Sequence, residues 1–317
     1  MVNPDALQLL RDAEADWPGR AEEWARSEEW LGLLFERSAT AMCVVSPKGE
    51  FMLVNPALCR MLDRPASELI GMRWQEVTHP DDVQADLDNV ERAFATDTGG
   101  FRMLKRFIRA DGGIVWGDLA TSYICDDAGT IRNWVSQIID VSERVAVQEE
   151  LAWQATHDVL TGLPNRAAIF AHLDRRTEGP ATSAQAVLFI DVDNFKTVND
   201  AFGHATGDRI IVEVSRVLQS ELPPDGLVGR MGGDEFLVIL NSCPDTAAAV
   251  EVGQRMLARV RDMSPLTTGE HVNRISLSIG ITLRRDGDSP DEVVAQADAA
   301  MYEAKQTGRD RVVARLI

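Results

Sequence analysis

The order of apolar segments in the second half of the chain restricts its fold more than any other feature of the sequence. The apolar run Gln185–Asp191 predicts a strand, and the amphipathic repeat Gly207–Leu222 predicts a helix. Two short apolar segments then flank a turn containing Gly232 and Gly233, which is the pattern of a β-hairpin. A helix, a strand, a helix and a closing strand follow at 247–263, 275–283, 290–306 and 311–316. The core of this half therefore has the order β-α-β-β-α-β in a mixed α+β domain.

This order predicts that two acidic segments meet. In the ferredoxin-like, or palm, arrangement the strands lie 4-1-3-2 across one sheet, so strand 1 runs roughly 4.8 Å from strand 3. Asp191, where strand 1 ends, then approaches Asp234 and Glu235 in the hairpin. Neighbouring carboxylates raise each other's pKa unless a cation neutralises them, and Mg²⁺ prefers oxygen ligands of this kind. The pattern indicates a metal site, although Asp and Gly are also common in exposed turns.

The first half of the chain has a different pattern. Residues 1–30 carry apolar side chains at three- and four-residue steps and predict a helical cap. Residues 31–140 predict a domain with two short strands, several short helices and three longer strands. Those strands lie at 42–45, 51–54, 100–109, 114–125 and 130–139.

The segment 141–157 connects the two halves. Its spacing of four and three residues is typical of a seam between two helices and involves Val141, Val145, Gln148, Ala152 and Ala155. Two heptads are too short to be stable alone. We expect a signalling helix that aligns two copies of the chain, with a plain connecting helix as the alternative.

Composition excludes several classes of protein. A length of 317 residues suits two domains, and a net charge of −18 argues against a nucleic-acid polymer or an anionic membrane as partner. No apolar run approaches the roughly 20 residues that cross a bilayer, so we expect no membrane insertion. The four cysteines lie far apart, without the spacing of a zinc site or a disulfide framework. We expect a cytoplasmic protein.

Specific motifs narrow the interpretation. The first half contains F-M-L-V-N-P-A-L-C-R-M-L, H-P-D-D and R-A-D-G-G-I-V-W and ends in D-V-S-E-R, and it resembles a PAS domain. The second half resembles the GGDEF family of diguanylate cyclases. The motifs that carry this likeness are D-V-L-T-G-L-P-N-R (158–166), F-I-D-V-D-N-F-K-T-V-N-D-A-F-G-H-A-T-G-D (189–208), R-M-G-G-D-E-F (230–236) and Y-E-A-K-Q-T-G-R-D (302–310). The resemblance implies a PAS sensor, with a five-stranded antiparallel sheet, followed by a ferredoxin-like GGDEF domain at 158–317.

The GGDEF resemblance also implies roles for individual residues. Mg²⁺ or Mn²⁺ is implied at Asp191, the carbonyl of Val192, Asp234 and Glu235. One of the last two residues acts in deprotonating the attacking hydroxyl, and the sequence does not fix which. The implied guanine contacts are Asn199 and Asp208, with His204 either at the substrate or in a local hydrogen bond. The implied phosphate contacts are the N–H groups of Asn194, Phe195 and Lys196 together with Lys305 and Arg309, while Gly232 and Gly233 leave space for the nucleotide.

The implied reaction condenses two GTP into cyclic di-GMP and two pyrophosphates. Because each domain holds one GTP, activity requires a homodimer, which the PAS domain would control through the signalling helix. The PAS ligand is not assigned by the sequence. The R-x-x-D product-inhibition motif of many relatives is replaced by the segment 223–226, P-P-D-G. Two alternatives stay open: a non-catalytic nucleotide-binding module and a cyclase with a mononucleotide product.

Overall fold

The structure, a computed structural model, describes residues 28–96, 98–126, 130–174, 184–263, 266–268, 271–285 and 287–315. Most of the predicted helical cap at 1–30 therefore lies outside the described residues. The chain divides into two compact units, Met1–Gln148 and Glu149–Ile317, and each is described by itself. No helix in the described ranges combines the length and apolar character needed to cross a bilayer.

The first unit is built around an antiparallel sheet. Its strands are β1 (Ala41–Val45), β2 (Phe51–Val54), β3 (Gly100–Ile108), β4 (Ile114–Cys125) and β5 (Ile131–Asp140). Its helices are α1 (Glu28–Arg37), α2 (Pro56–Leu62), α3 (Ala66–Leu69) and α4 (Pro80–Thr96), with a 3₁₀ turn at Trp74–Val77. The strand order is β2-β1-β5-β4-β3, with every neighbouring pair antiparallel. The predicted five-stranded antiparallel sheet is confirmed.

One face of this sheet carries the core of the unit. Alternate residues of β4 are buried, as expected for a strand with one covered face. Gly117 of β4 leaves room for the ring of Phe107, because a Cβ there would lie 2.4 Å from that ring. The same core contains a buried ion pair between Lys105 and Asp86. Removing one partner alone would leave an unpaired buried charge, which is strongly destabilising. A variant must therefore keep both residues or replace both.

The second unit contains the predicted β-α-β-β-α-β core. Its strands are β6 (Ala184–Val192), β7 (Gly226–Gly232), β8 (Glu235–Cys243), β9 (Leu266–Thr268), β10 (His271–Asn273), β11 (Leu277–Arg284) and β12 (Arg311–Ala314). Its helices are α6 (Arg166–Asp174), α7 (Phe195–Phe202), α8 (His204–Ser220), α9 (Thr246–Arg261) and α10 (Pro290–Gln306). The main sheet has the order β12-β11-β6-β8-β7, which is the expected 4-1-3-2 order with β12 added at one edge.

Helices cover both faces of this sheet. Leu188 and Ile190 of β6 pack with residues of α8 and α9, whereas Val187 and Phe189 pack with residues of α6 and α10. The strand is consequently apolar at consecutive positions, as expected for a strand buried on both faces. This packing fixes the direction of β6 and brings its polar end, Asp191, to one edge of the core.

The alternating strand predicted at 275–283 is observed as β11. Its apolar face is buried, and so is the opposite face, which carries small and polar residues. Gly280 lies against α10, where a Cβ would be 2.0 Å from the backbone nitrogen of Met301. Thr282 donates a hydrogen bond to Oε1 of Gln296 in the same helix. Small residues on this face let α10 approach the strand backbone closely.

The predicted signalling segment contains the helix α5 (Ser142–Gln154), in which no side chain is buried. Val147 and Leu151, one turn apart, are 52% and 59% exposed. Neither residue belongs to the spacing from which the seam was predicted, and of that set Val141 is buried in the first unit. The pairing of two chains through this helix stays a prediction.

Candidate active site

The candidate site lies where β6 ends beside the hairpin between β7 and β8. Asp191 is the register partner of Glu235 on β8 and of Ser278 on β11. The N–H of Val192 donates to the carbonyl oxygen of Asp234 at 3.1 Å. The strand order thus brings Asp191, Asp234 and Glu235 to one edge of the sheet.

Lys305 supplies the positive charge at this edge. Its Nζ donates to Oδ2 of Asp191 at 2.6 Å from the last turn of α10. Burial and the charge of Asp234 still raise the pKa of Asp191 to about 6, while Lys305 acts in the opposite direction. Burial and Asp234 also raise the pKa of Glu235. Both carboxyl groups therefore favour an additional cation or proton.

The donor set suits a hard divalent cation. It consists of the buried carboxylate of Asp191, the half-buried carboxylates of Asp234 and Glu235, and the adjoining backbone carbonyls, all oxygen ligands of the type that Mg²⁺ and Mn²⁺ accept. Within the described residues, no three His, Cys, Asp or Glu side chains already form a closed ligand group. Asp191 is instead paired with Lys305, so the observed cation at this edge is an ammonium group.

The hairpin tip is open on one side. Gly232 and Gly233 have φ angles of 143° and 56°, in the region that favours glycine. A Cβ at either position would meet no atom within 4 Å. The positive φ angles explain why both positions are glycine. The open space leaves the backbone accessible to a ligand.

A second group of predicted residues lies at the junction of α7 and α8. Asn199 packs over Gly207, whose Cβ would lie 1.9 Å from Oδ1 of Asn199. That Oδ1 atom is buried and accepts no hydrogen bond in the described part of the protein. Asp208 and His204 are exposed on the first turns of α8. An acceptor without a partner beside an exposed carboxylate suits a ligand edge that donates hydrogen bonds.

The predicted phosphate contacts occupy two elements. Asn194 has φ 57° and precedes the first turn of α7, where Phe195 and Lys196 have backbone N–H groups without intrahelical acceptors. Arg309 follows α10, has φ 58° and is exposed. Lys305 donates to Asp191, and its contact with phosphate stays a prediction.

Both halves of the chain match models of known protein families. A family model described as "Diguanylate cyclase, GGDEF domain" matches residues 155–311, and a PAS fold model matches residues 31–141. The chain carries a PAS domain followed by a GGDEF domain. The GGDEF match includes Asp191, Glu235 and Lys305, which meet at one edge of the sheet.

Individual relatives cover parts of the chain. Diguanylate cyclase TpbB of Pseudomonas aeruginosa is 40% identical over 182 residues, which are 56% of this chain and 40% of that protein. An uncharacterised signalling protein of Caulobacter vibrioides is 31% identical over 274 residues, which are 84% of this chain and 32% of that protein. The chain thus spans two fifths or less of the length of these two curated relatives.

One solved structure that resembles this chain covers about half of it. The coiled coil and GGDEF domain of DgcB from Caulobacter crescentus, in complex with c-di-GMP, is 31% identical to this chain. That match covers 55% of this chain and 93% of the DgcB chain, with a TM-score of 0.49.

Two residues that support the GGDEF hairpin were not predicted as site residues, although they begin the motifs D-V-L-T-G-L-P-N-R and R-M-G-G-D-E-F. Arg230 donates through Nε and Nη2 to the carbonyl oxygen of Gly233 at 3.0 and 2.7 Å. Its Nη1 donates to both carboxylate oxygens of Asp158 at 3.0 and 3.1 Å. We call Arg230, Asp158 and the Gly233 carbonyl the hairpin clamp. A planar guanidinium with fixed donors can hold both partners at once, which an ammonium group cannot do.

Asp193 supports the loop that carries Arg309. Although it lies two residues after Asp191, Asp193 accepts from the hydroxyls of Ser276 and Ser278 at 2.6 and 2.7 Å and from the N–H of Asp310 at 3.0 Å. Asp310 has φ 54°, so this carboxylate stabilises a left-handed backbone conformation. Of the two aspartates at the end of β6, Asp191 therefore lies in the candidate site and Asp193, directly after the strand, supports a loop.

Proposed function

We propose that this chain is a diguanylate cyclase that condenses two GTP into cyclic di-GMP and two pyrophosphates. The observation that carries the proposal is the meeting of Asp191, Asp234, Glu235 and Lys305 at one sheet edge of a GGDEF domain. The family description and the named relatives support the same activity. The presence of all three carboxylates, Asp191, Asp234 and Glu235, favours this function over a non-catalytic binding module.

The residues of this chain would bind the first GTP at both ends. The amide of Asn199 and the carboxylate of Asp208 suit the guanine edge, which offers both an acceptor and donors. The N–H groups at the start of α7 and the side chain of Arg309 suit the triphosphate. Phosphate oxygens also compete with Asp191 for Lys305, and that exchange would bring the ammonium group onto the substrate.

Glu235 is the better candidate for the proton acceptor. Its pKa is raised by burial and by Asp234, and general bases work best with a pKa near the operating pH. Asp191, Asp234 and the Val192 carbonyl would hold Mg²⁺ or Mn²⁺, which supplies charge neutralisation at the phosphates when bound. Attack by the 3′-hydroxyl of a second GTP requires a second GGDEF domain facing the first, so we propose a homodimer controlled by the PAS domain.

Product analysis tests the proposal. Purified chain is incubated with GTP and Mg²⁺, and nucleotides are separated by chromatography. We expect cyclic di-GMP, and no product from the variant Asp234→Asn/Glu235→Gln. The matched control is Glu251→Gln/Asp262→Asn, which makes the same charge change at exposed positions on α9 and directly after it. A cyclic mononucleotide product, or equal activity of the two double variants, would overturn the assignment.

A further inference from the structure

A groove between α6 and α10 of the GGDEF domain lies beside the candidate active site. Its volume of about 450 Å³ falls within the range of about 300 to 1,000 Å³ that is typical of ligand pockets. The strands contribute Phe189, Met231 and Glu235 to its wall. The groove therefore borders the residue that is proposed to accept the proton.

Two charged side chains in this groove have free hydrogen-bonding groups. Arg166 at the start of α6 and Asp298 in α10 are both exposed, and in the described part of the domain neither has a hydrogen-bond or ion-pair partner. The guanidinium carbon of Arg166 lies 5.4 Å from the ring centre of Phe170, which also lines the groove. Burial is the largest cause of the raised pKa of Glu235, to which Asp298 adds and which Arg166 opposes. Both charges therefore act close to Glu235.

The charges of the groove favour a neutral base over a phosphate. Its wall contains the carboxylates of Glu235, Asp291 and Asp298 and the guanidinium of Arg166, so the acidic groups outnumber the basic one and repel phosphate. Guanine offers N1–H and N2–H₂ donors to a carboxylate, and its O6 and N7 acceptors to the two parallel N–H groups of an arginine. Adenine has an amino group in place of O6, so it would meet the arginine donors with another donor. Among purines, the groove therefore matches guanine.

The proposed reaction brings a second guanine to this face of the sheet. Two GGDEF domains that face each other across their site edges are related by a two-fold axis through the forming ring. The first guanine would lie at Asn199, on the face covered by α7 and α8. A rotation of 180° about the axis directs the guanine of the partner's GTP toward the opposite face, where α6 and α10 border the groove.

We propose that the groove binds the guanine of the GTP that a second copy of the chain holds, an inference that rests on the proposed function. The carboxylate of Asp298 accepts from N1–H and N2–H₂, the guanidinium of Arg166 donates to O6 and N7, and the base packs against Phe170. These contacts place the attacking 3′-hydroxyl of that nucleotide beside Glu235. They form only when two loaded domains meet, so they raise kcat and base selectivity and leave the binding of the first GTP unchanged.

The test compares GTP with 7-deaza-GTP, in which a C–H group replaces N7. This analogue keeps the base edge assigned to Asn199 and Asp208 and loses one acceptor for Arg166. Pyrophosphate release by the full chain gives kcat and KM. We expect kcat to be about tenfold lower with 7-deaza-GTP than with GTP, and KM to agree within twofold. In Arg166→Met we expect kcat for GTP to fall about tenfold and the two nucleotides to react at equal rates. A structural role of Arg166 would lower both rates by the same factor, and that result would overturn the proposal.

Further variants separate the groove from the first GTP site. Asp298→Ala is expected to lower kcat for GTP on the order of tenfold with KM within twofold, because the base loses its charge-assisted hydrogen bonds. The control Arg255→Met/Glu251→Gln removes one charge of each sign from α9, on the opposite face of the sheet, and is expected to change neither kcat nor selectivity. A parent chain that forms no cyclic di-GMP would overturn the proposed function and this inference together. A parent that forms cyclic di-GMP, but uses GTP and 7-deaza-GTP at equal kcat, would overturn the role of the groove alone.

Discussion

Replacing Arg230 by alanine removes every contact of the hairpin clamp in one step. The side chains of Arg230 and Asp158 are 12% and 23% exposed, so solvent screens their pairing only in part. Charge-assisted hydrogen bonds contribute about 1.5 to 3 kcal/mol each before screening. Asp158 keeps its bonds from the N–H and hydroxyl of Thr161 at 2.9 and 2.7 Å in the variant. We therefore expect Arg230→Ala to lower the free energy of unfolding by about 2 to 4 kcal/mol.

We expect Arg230→Ala to lower kcat by more than the loss of folded protein accounts for. The clamp fixes the carbonyl of Gly233, the residue before Asp234, and a displacement of about 1 Å at reacting groups can cost on the order of 100-fold in rate. Arg230→Lys keeps the charge but loses the planar arrangement of N–H donors. We therefore expect its stability to lie between those of the parent and Arg230→Ala, and its kcat to be nearer to that of Arg230→Ala.

Urea denaturation followed by circular dichroism gives the stability, and pyrophosphate release gives the steady-state rate under conditions where each variant is folded. Arg255→Ala is the control, since its contacts to Glu221 and Glu251 are 3.6 and 3.8 Å long and its side chain is 46% exposed. We expect that control to change stability by less than about 0.5 kcal/mol. A loss of stability in Arg230→Ala as small as in the control, with kcat unchanged, would refute the clamp.

Three further results are expected. Burial raises the pKa of Asp158, but hydrogen bonds from Thr161 and Arg230 outweigh it and hold the pKa below 3.8. Its contribution to stability is therefore present above about pH 4 and lost as the pH falls through the lowered pKa, so urea midpoints between pH 5 and pH 3 should fall less in Asp158→Asn than in the parent. Gly280→Ala should lower the free energy of unfolding by about 3 kcal/mol in the same assay, since its Cβ would meet the backbone of α10; a change below 1 kcal/mol would contradict that packing. With P-P-D-G at 223–226, progress curves should show little inhibition by low-micromolar cyclic di-GMP, because two lost charge-assisted contacts weaken a site on the order of 100-fold. Strong inhibition in that range would reveal a different inhibitory site.

The sequence predicted the topology well because apolar periodicity carries it. Alternation and run length located the strands of the two five-stranded sheets but not the short pair β9 and β10. The order 4-1-3-2 then required Asp191 to approach the hairpin. The two glycines of the hairpin were equally readable, since positive φ is a property of the residue type.

Side-chain partners could not be predicted in the same way. The ion pair between Lys305 and Asp191, which lie 114 positions apart in sequence, was not predicted. Asp193 is adjacent in sequence to the site and supports a different loop. Both assignments depend on which neighbour lies across the sheet edge, and periodicity contains no information about that. Nor did the pattern at 141–157 identify Val147 and Leu151 as the exposed apolar pair of α5.

Each unit holds a pair of aspartate and lysine side chains, and their burial separates their roles. Lys105 and Asp86 are enclosed, so burial lowers the pKa of Lys105 and its partner must stay within reach for the charge to persist. Lys305 is 29% exposed while Asp191 is 7% exposed, so the ammonium group can leave for another anion and regain water. Burial raises the pKa of Asp191 to about 6 even with Lys305 bound, so a carboxylate that loses the ammonium group demands a replacement cation or proton. A pair with one exposed partner suits the proposed active site, in which a phosphate would take the ammonium group and a metal ion would replace it at the carboxylate.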